Sequence, residues 1–205
     1  VSVILSDWQR MPMFKADPEL VEDLSDMLGQ LDRCKAIVSD ILTSSGATRG
    51  EGTVRTTVNA FLDALVEEWR AGRPALAVDY TNLFRPDAPI VSDTALKQVI
   101  FNIFDNAWEA SPEWIGVAVG RRGDDLVITV SDAGPGFDGE ILAEFGKPYR
   151  SGKKRPGGGL GLYLVVNVLR KLGGTVTPKN GKEGGASVTL KLPLASLSPG
   201  GFDGP

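Results

Sequence analysis

Asn102 and Asn106 stand four residues apart in a largely apolar stretch, with Val99, Ile103 and Ala107 spaced to face a core. On a helix the two amides share a face and need polar partners. One outlet is ordinary hydrogen bonding to a loop. The other is chemical: the carbonyl oxygen of Asn106 is a hard ligand of the kind Mg2+ takes. Asp132 closes an apolar run and is followed by Ala133, Gly134, Pro135 and Gly136. It reads either as a turn aspartate or as a part-buried carboxylate that accepts a hydrogen bond from the exocyclic amine of adenine. In the second reading Gly134 and Gly136 let main chain approach the base. Gly157, Gly158, Gly159, Leu160, Gly161 and Leu162 lead into an apolar helix. A flexible linker has a similar composition, but bare N–H groups ahead of a helix N-terminus also make a phosphate cradle. Between Asp132 and the glycines lie Lys147, Tyr149, Arg150, Ser151, Lys153, Lys154 and Arg155. They are either a solvated loop or a lid that brings cations to a triphosphate. Metal ligand, adenine reader, lid and cradle, in this order, describe a site for ATP with Mg2+.

The elements that must position these residues follow from periodicity and punctuation. Val54 to Trp69 reads as a helix with Val58, Phe61, Leu62, Leu65 and Trp69 on one face. Leu76 to Tyr80 and Pro89 to Val91 read as strands. Asp93 caps a helix that runs to Ala110 and carries the asparagine pair. Trp114 to Gly120 and Leu126 to Ser131 read as strands around a turn at Arg122-Gly123-Asp124, so Asp132 sits at a strand end. Glu140 to Phe145 is a short helix, and Leu160 to Leu172 a longer one ended by Gly173-Gly174. Thr175 to Thr177 and Ala186 to Leu192 close the domain as strands joined by a Gly/Lys-rich turn. The alternation lacks a regular βαβ rhythm, which predicts a mixed or mostly antiparallel sheet with helices on one face.

Upstream, Leu20, Leu24, Met27, Leu31, Cys34, Val38 and Ile41 follow a heptad seam, with Asp17 and Pro18 placed to start a helix. The seam packs on its own domain, or it is one arm of a helical hairpin that forms a four-helix bundle in a homodimer. Cys34 on the seam is a small buried hydrophobe or a redox-responsive thiol. The division expected is a helical hairpin over 1–45, a linker over 46–53, an α/β domain over 54–195 and a disordered Gly/Pro/Ser-rich tail over 196–205, an α+β chain overall.

Composition narrows the class. In 205 residues, 42% are hydrophobic, enough for one packed domain and an appendage, and the formal net charge of −4 argues against nucleic acid as a partner. A single cysteine excludes an intrachain disulfide. No apolar run approaches the ~18–20 residues of a membrane helix. The chain opens on Val-Ser-Val-Ile-Leu, the pattern of a helix interior, and so reads as a piece of a longer protein.

The order and wording of the four motifs resemble the N, G1, F and G2 boxes of sensor histidine kinases. These belong to the ATPase superfamily that also holds DNA gyrase, the Hsp90 chaperones and MutL. The resemblance is strong over about residues 93–193. It implies a Bergerat-type α/β sandwich, binding of MgATP, transfer of the γ-phosphoryl group to a histidine, relay to a response regulator, a homodimer and a cytoplasmic location, either free or as the cytoplasmic part of an inner-membrane protein. Within the family, Leu31-Asp32-Arg33-Cys34-Lys35-Ala36-Ile37 and Phe145-Gly146-Lys147-Pro148-Tyr149-Arg150-Ser151 look closest to the redox-responsive RegB/PrrB kinases. Three features depart from the pattern. The chain has no histidine, so the phosphoacceptor would lie upstream. Glu109 stands where many kinases have Lys or Arg, and no sensor segment is present. In the hydrolysing relatives, a glutamate four before the metal-binding asparagine is the general base toward water. Here that position is Asn102, and an amide does not take a proton in that way. Asp105 lies about 100° away around the helix. The residues thus favour phosphoryl transfer, with an ATP-driven conformational module and a nucleotide-binding scaffold as the alternatives.

Overall fold

The structure, a computed structural model, describes residues 54–73, 76–143, 145, 160–182 and 184–199. The expected hairpin and linker, Cys34, the stretch with Tyr149, Arg150, Ser151 and Lys153, Gly157 to Gly159, and residues 200–205 lie outside the described residues.

Three helices carry the apolar periodicity. α1 (Val58–Ala71) buries Val58, Leu62, Leu65, Val66 and Trp69. α2 (Thr94–Ala110) starts at Asp93, whose carboxylate accepts the Leu96 N–H at 2.8 Å and so satisfies one of the helix's free donors. It buries Leu96, Val99, Ile100, Ile103, Phe104 and Ala107. α3 (Gly139–Ala143) is a single short helix, beginning one residue earlier than expected and ending before Phe145. α4 (Leu160–Lys171) packs along α2 and ends at Gly173, whose φ of +67° suits glycine. There the Gly174 N–H reaches back to the Leu169 carbonyl at 2.7 Å.

The strands are β1 (Val54–Thr57), β2 (Ala77–Asn82), β3 (Pro89–Ser92), β4 (Trp114–Arg122), β5 (Asp125–Asp132), β6 (Thr175–Asn180) and β7 (Ala186–Pro193). β1 and β3 form an antiparallel ribbon. The other five form a mixed sheet in the order β2-β4-β5-β7-β6, parallel between β2 and β4 and antiparallel elsewhere. Alternation sorts the faces. Val117 and Val119 of β4, Ile128 and Val130 of β5 and Val188 and Leu190 of β7 join the helices' buried residues in one core. The other face carries small and polar residues, among them Ala118, Ser131, Ser187, and Thr129 with Thr189, whose hydroxyls lie 3.1 Å apart. The architecture is therefore a two-layer α+β sandwich with helices on one face of a mixed sheet.

Three expectations differ from the structure. Val54 to Thr57 is strand, not the first turn of α1. Val54 sits one helical turn before Val58 and so mimics the helical period, but the Thr57 hydroxyl accepts the Ala60 N–H at 3.3 Å and starts the helix there. The expected tail from Ser196 is also too long. Leu194 to Ser196 form a 3-10 turn, and Leu197 is 1% exposed with its carbonyl accepting the Val91 N–H at 2.7 Å. Two buried leucines anchor a segment whose Ser, Pro and Gly content alone suggests disorder. β6 also runs three residues beyond Thr177, through Pro178, which an edge strand tolerates.

Candidate nucleotide site

Asp132 ends β5, between Ile115 of β4 and Ala186 of β7. Its Oδ1 accepts two main-chain hydrogen bonds, from Gly134 at 2.9 Å and from Ala186 at 3.2 Å. Two donors from different segments fix the carboxylate. Among the described residues Oδ2 has no donor, so one acceptor remains on a half-buried group whose orientation is already set. That is what recognition of an exocyclic amine requires.

The loop after Asp132 passes through spaces that only glycine fits. A Cβ on Gly134 would lie 2.6 Å from the Ala110 carbonyl oxygen, at the end of α2. Gly136 has a φ of +82°, and a Cβ there would lie 3.1 Å from Asn180 Oδ1. The first contact joins the loop to the helix that carries the asparagines.

On that helix the Asn106 Nδ2 donates to the Asn102 carbonyl at 2.5 Å. Asn102 Oδ1 accepts from Gln98 Nε2 at 3.4 Å. A Cβ on Gly161 would meet Asn102 Cγ and Oδ1 at 3.7 Å and Asn106 Nδ2 at 3.8 Å. The first turn of α4 therefore abuts both asparagines. Leu160 opens that helix, and Leu162 turns its side chain into the core, 9% exposed, so what it can offer a ligand is its main-chain N–H. Asn102, Asn106, Asp132, Gly134, Gly136 and Gly161 thus come together around the C-terminal half of α2, the end of β5 and the start of α4.

Asp105 faces elsewhere. Its Oδ1 accepts from Trp69 Nε1 at 2.8 Å and from the Arg73 guanidinium at 2.7 Å. Arg73 in turn lies 4.1 Å from the Trp69 ring and 4.6 Å from the Trp108 ring. This carboxylate joins α2 to α1 and does not serve as a base at the site.

A part of the site that sequence reading missed is the turn between β6 and β7. The Gly185 N–H donates to the Gly134 carbonyl at 2.8 Å, and at a φ of +73° a Cβ on Gly185 would collide with the Asp132 carbonyl oxygen. With the Ala186 bond to Asp132, the turn clamps the acceptor loop from behind. The signal lies in Gly181, Gly184 and Gly185, whose composition on its own marks only a turn.

The residues fit MgATP. Asp132 Oδ2 would receive the adenine amine, and Asn106 would give an oxygen to Mg2+. Among the described residues no group of three His, Cys, Asp or Glu side chains forms a cation cage. Asn106 would then act as a single protein ligand beside the phosphates, as Mg2+ often accepts. The bound nucleotide would supply a transferable phosphoryl group.

Fold and site together define an α/β sandwich with a carboxylate at a strand end and a pair of asparagines on the neighbouring helix. Residues 92–196 match the family described as Histidine kinase-, DNA gyrase B-, and HSP90-like ATPase, and the chain belongs to that family. It is 30% identical to Sporulation kinase B of Bacillus subtilis strain 168 over 82% of this chain and 40% of that protein. The C4-dicarboxylate transport sensor protein DctB of Pseudomonas aeruginosa is also 30% identical, over 92% of this chain and 31% of that protein. The chain thus spans about a third to two fifths of these relatives. Among solved structures, full-length ShkA in complex with AMPPNP superposes with a TM-score of 0.60 at 20% identity, covering 86% of this chain and 39% of that one, a likeness of fold.

Proposed function

We propose that this chain is the catalytic part of a sensor histidine kinase. It binds MgATP and passes the γ-phosphoryl group to a histidine that lies outside this sequence, for relay to a response regulator, in a cytoplasmic and homodimeric assembly. The observation that carries the reading is the half-occupied carboxylate of Asp132. Two main-chain donors hold one oxygen and leave the other for a base amine. Asn106 supports it, since its Nδ2 is bonded to the Asn102 carbonyl and its side-chain oxygen is a hard ligand of the kind Mg2+ takes. The AMPPNP complex of the ShkA neighbour supports the nucleotide class.

Transfer is favoured over hydrolysis because of Asn102 and Asp105. The first is an amide that accepts a hydrogen bond, and the second is held by Trp69 and Arg73. Neither takes a proton from water. A neutral imidazole already has a free lone pair near neutral pH, so the chemistry rests on positioning and charge stabilisation. Tyr149, Arg150, Ser151, Lys153 and the Gly157-Gly158-Gly159 run are proposed to contact the phosphates. Single-turnover incubation with labelled ATP tests the reading. Acid-labile label should appear on a longer chain that includes the upstream histidine and never on these 205 residues, which contain none. Label released only as inorganic phosphate would favour the ATPase alternative instead.

A further inference from the structure

Asn180 is the last residue of β6, more than forty positions from the acceptor loop, and its exposed side chain makes a two-point bridge to that loop. The Phe137 N–H donates to Asn180 Oδ1 at 2.8 Å, and Asn180 Nδ2 donates to the Phe137 carbonyl at 2.8 Å. One side-chain amide thus takes the place of a neighbouring strand. It satisfies both main-chain groups of a residue that belongs to no ladder. No other side chain among the described residues engages both main-chain groups of a loop residue at this site. The bridge also explains Gly136, since a Cβ there would lie 3.1 Å from Asn180 Oδ1 and 3.2 Å from the Gly185 carbonyl. Phe137, so held, packs edge-to-face on Phe145 with ring centroids 5.6 Å apart.

The loop from Asp132 to Phe137 is therefore pinned at both ends. At its start, Gly134 and Ala186 donate to the Asp132 carboxylate. At its end, Asn180 fixes Phe137. Between them, among the described residues, the bond from Gly185 to the Gly134 carbonyl holds the main chain. We propose that Asn180 is a positioning residue for base recognition: it sets the path of Gly134 to Phe137 and through it the aim of Asp132 Oδ2. The proposal rests on the nucleotide reading of the site. Discrimination is where the effect belongs. Adenine offers an amine to the acceptor, whereas guanine places a carbonyl at the same position. An acceptor aimed with less certainty loses preference between them.

Calorimetry of the whole chain with ATP and with GTP tests this. Asn180→Ala should weaken ATP about three- to tenfold, the range that loss of neutral hydrogen bonds spans, and should reduce the preference for ATP over GTP. Asn180→Asp keeps an acceptor for the Phe137 N–H but sets a carboxylate oxygen against the Phe137 carbonyl, acceptor against acceptor, so it should lower ATP affinity and the preference at least as much as Asn180→Ala. Thr177→Ala, on the same strand, should change neither. In Asn180→Ala without nucleotide, exchange of the Phe137 N–H should quicken, a readout independent of binding. A role confined to stability would lower the melting temperature and leave the ATP-to-GTP ratio of the folded protein intact. An unchanged ratio in both variants, with a parent chain that discriminates, overturns the role of Asn180 alone. A parent chain that binds neither nucleotide overturns the nucleotide reading as well.

Discussion

At the residue scale the site turns on how two polar groups are divided. Asp132 has one oxygen committed to main chain and, among the described residues, one without a donor. Asp132→Asn should keep the fold, because an amide oxygen still accepts from Gly134 and Ala186. It then aims an NH2 group at the adenine amine, donor against donor. Loss of that hydrogen bond should cost on the order of 1–3 kcal/mol, or roughly five- to 150-fold in ATP affinity. Calorimetry of the variant, with its melting curve as control, checks both halves. Asn106→Ala removes the oxygen and should instead abolish most of the difference in ATP affinity with and without Mg2+. If it lowers affinity equally in both conditions, Asn106 is not the metal ligand. These residues are legible in the sequence because their types are unusual where they stand. Two amides in an apolar helix and an aspartate at a strand end demand partners. The division of Asp132's oxygens is not legible there, because one donor, Ala186, lies 54 residues away.

At the scale of elements, packing decides what the motifs can be. Gly134 is fixed by the end of α2, since a Cβ would meet the Ala110 carbonyl oxygen at 2.6 Å. Gly134→Ala should destabilise the domain by about 1–3 kcal/mol, as forced overpacking does, and weaken ATP as the loop shifts. Gly120→Ala, where nothing lies within 4 Å of the added carbon, should do neither. Thermal melts of the pair make the comparison. The start of α1 carries a pH dependence. Burial pushes the Asp87 carboxyl up, but hydrogen bonds from the Thr57 hydroxyl and the Asn59 and Ala88 N–H groups, with the Arg85 charge, outweigh it and hold the group below its ordinary value. A carboxylate with a depressed folded-state value stabilises above its unfolded value, near ~3.9, and loses that contribution as pH falls through the folded one. Asp87→Asn should therefore narrow the stability gap between pH 7 and strong acid. A gap unchanged in chemical denaturation would remove Asp87 from this role. Helix starts are legible where a cap residue breaks the period, as at Asp93. At Val54 the helical spacing runs on into a strand, because pairing with β3 is a tertiary fact.

At the scale of the whole molecule, the sandwich is legible in class though not in topology. The absence of a βαβ rhythm implies a mixed sheet, but only register shows β5 and β7 side by side, and that adjacency brings the Gly185 turn onto Asp132. What reads as a simple connection proves to be part of the site because strands distant in sequence pair. The most direct test of the account is calorimetric titration of the 205-residue chain with ATP and GTP, each with and without Mg2+. ATP should bind, Mg2+ should tighten it and GTP should bind far more weakly. Equal affinity for ATP and GTP, or no binding of ATP at all, would contradict it.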